Sequence, residues 1–144
     1  MVVTPVAASY ELFDHTADIG IRVWADSPAG LVYPATEGLY AAVGALVPRG
    51  PARTVAVDWA GSEQAILLRD YLTEVLAWME SDERMVVAVE VAEFRGQRLA
   101  ITARTRPIDQ ARSSLDREVK AITYHGLGIE RTGRGWQATI IVDI

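Results

Sequence analysis

The sequence predicts an α+β fold: a single domain over residues 1–144, with layered mixed or antiparallel sheets and two main helices. Three observations predict it. Half of the residues are hydrophobic, which in a chain of 144 residues suffices for a core. Two segments repeat apolar residues at helical spacing. The strand-like segments come in runs rather than in strict alternation with helices, as in α+β proteins. No internal repeat, low-complexity tract or linker divides the chain.

The elements follow in order. Residues 10–25, YELFDHTADIGIRVWA, read as two short extended pieces with a polar knot between them. Residues 26–47 read as the first helix. Ser27 is a suitable N-cap and Pro28 a suitable first position. Leu31, Ala35, Leu39 and Ala42 recur at helical spacing. Pro34 is a defect there, because it lacks a backbone donor; it should kink the helix or delay its regular part. PRGPAR is a turn-rich break, and TVAVDWA alternates as a strand does, with Gly61 ending it. Residues 62–84 form the clearest helix. Ser62 can cap it, and Glu63 suits its positive end. Leu68, Leu72, Val75 and Met79 make one stripe, flanked by Tyr71 and Trp78, and core packing explains these aromatics best. MVVAVEVAEF, QRLAITART, REVKAITYHG, GIERTG and WQATIIVDI then read as strands, with RGQ and GRG as hairpin turns and PIDQARSSLD as a loop.

Composition excludes several classes. The absence of cysteine removes disulfides, thiolate metal sites and cysteine nucleophiles. The chain is acidic, with a formal net charge of −5, whereas a free-standing nucleic-acid binder is usually basic. The charge is uneven: residues 1–94 carry 14 acids and 5 bases, and residues 95–144 carry 9 bases and 5 acids. The basic half could meet phosphate or an acidic partner, or could simply be a solvated face. No apolar run is long enough to span a bilayer, and MVVTPVAASY lacks the charged start and apolar core of a signal peptide. The expectation is a soluble, cytoplasmic protein, with neither a membrane nor DNA as partner.

Oxygen ligands concentrate in two places. The first is the knot, with Asp14, His15, Thr16 and Asp18; the second is the terminal IIVDI, with Asp143 and the carboxylate of Ile144. On the last strand, Trp136, Ala138, Ile140 and Val142 share one face, expected to be the core face. Gln137, Thr139, Ile141 and Asp143 share the other. Two adjacent carboxylates repel unless something positive lies between them, and calcium or magnesium takes such oxygen ligands. No local spacing rule links position 18 to position 143. Plain turn chemistry is the alternative: Asp14 and Asp18 bonding their own backbone, Asp143 a solvated end.

His15 and His125, the latter just before a glycine turn, could serve with an aspartate in acid–base work. No nucleophile accompanies them. There is no G-x-S-x-G, no glycine-rich phosphate loop and no H-E-x-x-H. Turn hydrogen bonding is the simpler role for each histidine, and the chain holds no complete catalytic set.

Taken together, YELFDHTADIGIRV, ATEGLY, REVKAITYHGLGIE and GWQATIIVDI resemble archease, nearly end to end from Tyr10 to Ile144. The most specific parts are HTADIGI, EVKAITYHGL and the aspartate just before the end. The resemblance implies a small accessory protein, not an enzyme, that assists RtcB-type RNA ligases in tRNA splicing and repair. It would promote guanylylation of the ligase and repeated turnover, and meet tRNA only through the ligase. It further implies an α+β fold with layered sheets and a divalent metal ion, calcium or else magnesium or manganese, on Asp18 and Asp143. Ile144 would be an extra ligand, and His15 and Thr16 would orient the loop. Asp14 stands where the family usually has Glu, so the acid is kept with a shorter reach. Pro34 also departs from the family pattern. Two other classes remain beside this one: a small metal-dependent hydrolase using Asp18, Asp143 and His15, and a chaperone-like binding module.

Overall fold

The computed structural model describes residues 8–15 and 17–144. The polar knot joins two strands, β1 (Ser9–His15) and β2 (Asp18–Ala25), into an antiparallel hairpin. A short 3-10 turn at Ala29–Leu31 leads into α1 (Val32–Val43). Ser27 serves this entry, its Oγ accepting from the Gly30 N–H at 3.0 Å. Pro34 lies in the first turn of α1, where backbone N–H groups have no partner within the helix, so its missing donor costs little. The helix stops at Val43, short of the expected Val47, because Gly44 starts β3 (Gly44–Ala45).

Next come β4 (Arg53–Ala60), α2 (Gln64–Asp82), β5 (Arg84–Arg95), β6 (Arg98–Pro107) and the short β7 (Ser114–Leu115). Then follow β8 (Ala121–Ile122), β9 (Gly128–Thr132) and β10 (Gly135–Asp143). A Cβ on Gly44 would stand 2.0 Å from the Ser114 carbonyl oxygen, so only glycine allows β3 to approach β7. At α2, Glu63 rather than Ser62 occupies the N-cap position, and no side chain caps it. Two residues, not ten, of REVKAITYHG form strand. Buried Val119 and Ile122 are three apart, a spacing that strand alternation does not give.

The pairings among the described residues are all antiparallel. One sheet runs β1-β2-β10-β8, with β9 also on β10; a second runs β4-β6-β5; β3 and β7 form a small third. Both helices touch both larger sheets, and together they share one apolar core. Leu68, Leu72, Val75 and Tyr71 are buried, and Met79 and Trp78 pack against them, as the helical stripe requires. The one buried polar pair between the helices is satisfied. The Thr36 hydroxyl donates to the Val32 carbonyl (2.8 Å) and therefore accepts from the Tyr71 hydroxyl (2.7 Å). Burial pushes the Tyr71 phenol well above its ordinary pKa, which keeps that donor protonated.

Candidate functional site

Alternation along β2 and β10 sorts their residues. Ile19, Ile21, Val23 and Ala25 of β2 are buried, as are Ala138, Ile140 and Val142 of β10. The opposite face of the sheet carries Asp18, Gly20, Arg22 and Trp24 beside Asp143, Ile141, Thr139 and Gln137, each pair directly opposite in register. Trp24 Nε1–H donates to Gln137 Oε1 at 3.1 Å, which ties the far end of this face.

At the near end, Asp18 and Asp143 stand opposite each other although 125 positions separate them. Opposed residues of an antiparallel pair have Cβ atoms about 5 Å apart, and like charges there destabilise the sheet. The row extends to β1, where His15 is opposite Asp18. His15 Nδ1 lies 3.8 Å from Asp18 Oδ2, within charge contact but beyond a hydrogen bond. Among the described residues, that buried nitrogen has no hydrogen-bond partner. Ala17, in the turn between the strands, holds the left-handed conformation (φ 63°) that a residue with a Cβ rarely adopts. Strain of this kind gathers at functional sites.

Asp14 is opposite Ile19 and therefore on the other face from Asp18; it is exposed, and the fold does not bring it to the pair. Ile144 follows Asp143 and packs, half-buried, against the core. Thr16 lies outside the described residues. Among the described residues, no three histidine, aspartate or glutamate side chains converge closely enough to hold a metal by themselves.

Two neighbouring features were not visible in the sequence. The rings of His15 and His125 are 5.4 Å apart, tilted by 58°. The segment that carries His125 is clamped from both sides. Thr123 N–H donates to the Ile141 carbonyl (2.9 Å), and Lys120 N–H to the Asp143 carbonyl (2.7 Å). From α2, Arg69 Nε–H donates to the Ile122 carbonyl (3.0 Å), and its guanidinium lies 4.2 Å over the Tyr124 ring. No spacing rule connects Arg69 to Tyr124 or His15 to His125; only the paired sheet does. The glycine of HTADIG has a local reason. A Cβ on Gly20 would stand 2.1 Å from the Phe13 ring, so glycine lets that ring lie flat on the sheet beside Ile141.

The arrangement is an oxygen-rich edge with two aligned carboxylates, flanked by two imidazoles and by backbone held from α2. Comparison with known proteins gives a consistent picture. Residues 10–144 match the archease protein family. A Methanopyrus kandleri protein archease is 34% identical over 138 residues, covering 94% of this chain and 99% of that protein. A Pyrococcus abyssi protein archease is 32% identical over 143 residues, covering 94% and 98%. The solution structure of Methanobacterium thermoautotrophicum protein 1598 superposes with a TM-score of 0.73 at 22% identity, covering 94% of this chain and 99% of that one. The crystal structure of a Thermotoga maritima archease, described as a possible chaperone, gives 0.67 at 21% identity, covering 100% and 98%.

Proposed function

The chain belongs to the archease family, and from that premise we propose that it is a metal-binding accessory factor that activates an RtcB-type RNA ligase, not an enzyme itself. The carrying observation is the register of β2 and β10, which sets Asp18 opposite Asp143 on the outer face. Two like charges in that position favour a bound cation, and an all-oxygen donor set suits a hard one, calcium ahead of magnesium or manganese. Asp18 and Asp143 would hold it, with the carboxylate of Ile144 as an auxiliary donor. The ion would supply positive charge at an otherwise repulsive edge. Because no group of three His, Asp or Glu side chains that could hold a metal occurs among the described residues, positions would remain for water and for a group of the partner. His15, whose buried Nδ1 has no hydrogen-bond partner among the described residues, would orient Asp18. Help with ligase guanylylation, and contact with tRNA through the ligase, follow from the family resemblance. A soluble, cytoplasmic setting fits that role; among the described residues, no helix is long and apolar enough to cross a membrane.

The hydrolase alternative draws on the contact between His15 and Asp18. It lacks a nucleophile, and the description of the Thermotoga relative as a possible chaperone favours binding over catalysis. Ligase turnover measured with wild type, Asp18→Asn and Asp143→Asn, each with and without calcium, tests the proposal. Loss of activation in both variants is the expected result; full activation by both removes these aspartates from the mechanism. RNA or nucleotide hydrolysis by the protein alone, abolished by the same changes, would favour the hydrolase.

A further inference from the structure

Away from the carboxylate row, a groove of about 590 Å³ opens between the C-terminal end of α2 and the chain that crosses it after β6. Its floor is apolar: Ile108 and Val119 are buried there, and Met79 packs against the core. Leu115 stands on its wall with 63% of its surface exposed, next to that apolar floor. The rim is acidic. Glu80, Glu83 and Glu118 line it, are exposed, and form no ion pair with the described residues. Asp116 adds a fourth acid, which accepts from Ser114 Oγ (2.8 Å). Arg117 is the one base among the described lining residues, and its guanidinium reaches the Ala42 carbonyl (3.2 Å).

We propose that this groove docks a basic segment of a partner protein, one that places an apolar side chain on Leu115 and the floor and sets Arg or Lys against the glutamate rim. Charge complementarity selects the occupant. Unpaired carboxylates around an apolar floor repel phosphate, so nucleic acid is excluded; they attract a cationic peptide and would set its register and association rate. The wall of the groove runs directly into Lys120, whose N–H holds the Asp143 carbonyl. The inference does not depend on the identity of the partner.

The test is selection of a random displayed-peptide library on the whole protein. Enrichment of peptides with an aliphatic or aromatic residue between Arg or Lys is the expected result. Those peptides, synthesised and labelled, should bind about tenfold more weakly to the combined Glu80→Gln, Glu83→Gln, Glu118→Gln variant and to Leu115→Ser, a loss of about 1.4 kcal/mol. Their affinity should fall as salt rises. These positions are exposed, and unchanged thermal melting checks that each variant folds. No enrichment, enrichment of neutral or acidic peptides, or binding indifferent to the variants overturns the proposal. So does sedimentation showing a dimer that Leu115→Ser dissolves, since the occupant would then be a second copy. Asp18→Asn should leave peptide binding unchanged, so failure here and failure of the ligase role are separable.

Discussion

The outer faces of the two larger sheets handle charge in opposite ways. On β4-β6-β5 two of the acids are answered from within the sheet. Asp58 and Glu93 flank Ala100 in register, and Arg98 reaches both, at 3.3 and 3.6 Å. Arg95 stands opposite Arg98, and Glu93 lies between the two like charges, 3.9 Å from Arg95. At one end of β1-β2-β10 the same solution appears, Arg22 facing Glu11 at 2.8 Å. At the other end Asp18 faces Asp143, and the row offers no Arg or Lys in register, only His15 and Ala121. A sheet that elsewhere matches opposite charges carries one like-charged pair. The cation proposed above would supply the positive charge that this pair lacks.

That contrast can be broken or sharpened by experiment. The largest expected effect is on metal response. At an ion concentration about a hundredfold above Kd, the wild type should gain about 2.7 kcal/mol, seen as a raised melting temperature, by binding only to the folded state. Asp18→Asn and Asp143→Asn should show little of that gain; an equal response in all three proteins places the ion elsewhere. Next in size is a buried neutral pair that needs no ligand. Thr36→Val removes the acceptor of the Tyr71 hydroxyl and should cost about 1–3 kcal/mol in denaturant titration, with or without metal. A metal-dependent cost would show that the site and the helix pair are coupled. Smaller still is the effect of Asp143→Asn in chelator: relief of repulsion should raise stability by up to about 1 kcal/mol. A clear loss would mean that the aspartate has a partner other than an ion. Smallest is Arg98→Ala. Its ion pairs are exposed, so the change should stay within about 1 kcal/mol and shrink further in high salt.

The comparison also marks what was legible in the sequence. Alternation along β4, β5, β6 and β10 and the helical stripe of α2 announce themselves, because each element has one wet and one dry side. The strand expected over REVKAITYHG failed for the same reason in reverse: its buried positions, Val119 and Ile122, do not alternate. Ser62 was a plausible cap that the chain bypasses in favour of Glu63, a one-residue distinction that propensity does not resolve. Asp18 and Asp143 were each visible as unusual, but their pairing was expected only from the family resemblance, since register across 125 positions has no local signature. The contacts of His125 with His15 and of Arg69 with Tyr124 were beyond reach, because the segment that carries Tyr124 and His125 follows a course set by the finished sheet. Asp14 looked like part of the same knot, and strand alternation turns it away.

The position of β2 carries a consequence for how the molecule is made. β2 lies between β1, its immediate neighbour in the chain, and β10, the last strand described; Trp24 and Gln137, which bond across that seam, are 113 residues apart. While the ribosome is still adding the middle of the chain, the edge of β2 that β10 will cover has no partner, and such edges invite pairing with other chains. Closure of long-range strand pairs is also slow, because loop entropy must be lost before contacts form. We therefore predict a late seam. In pulse-labelled hydrogen exchange during refolding, amides of β2 and β10 should gain protection together, after those of the β5–β6 hairpin; earlier protection of β2 would refute this order. The two aspartates, on facing positions of that seam, would then come into register only late in folding.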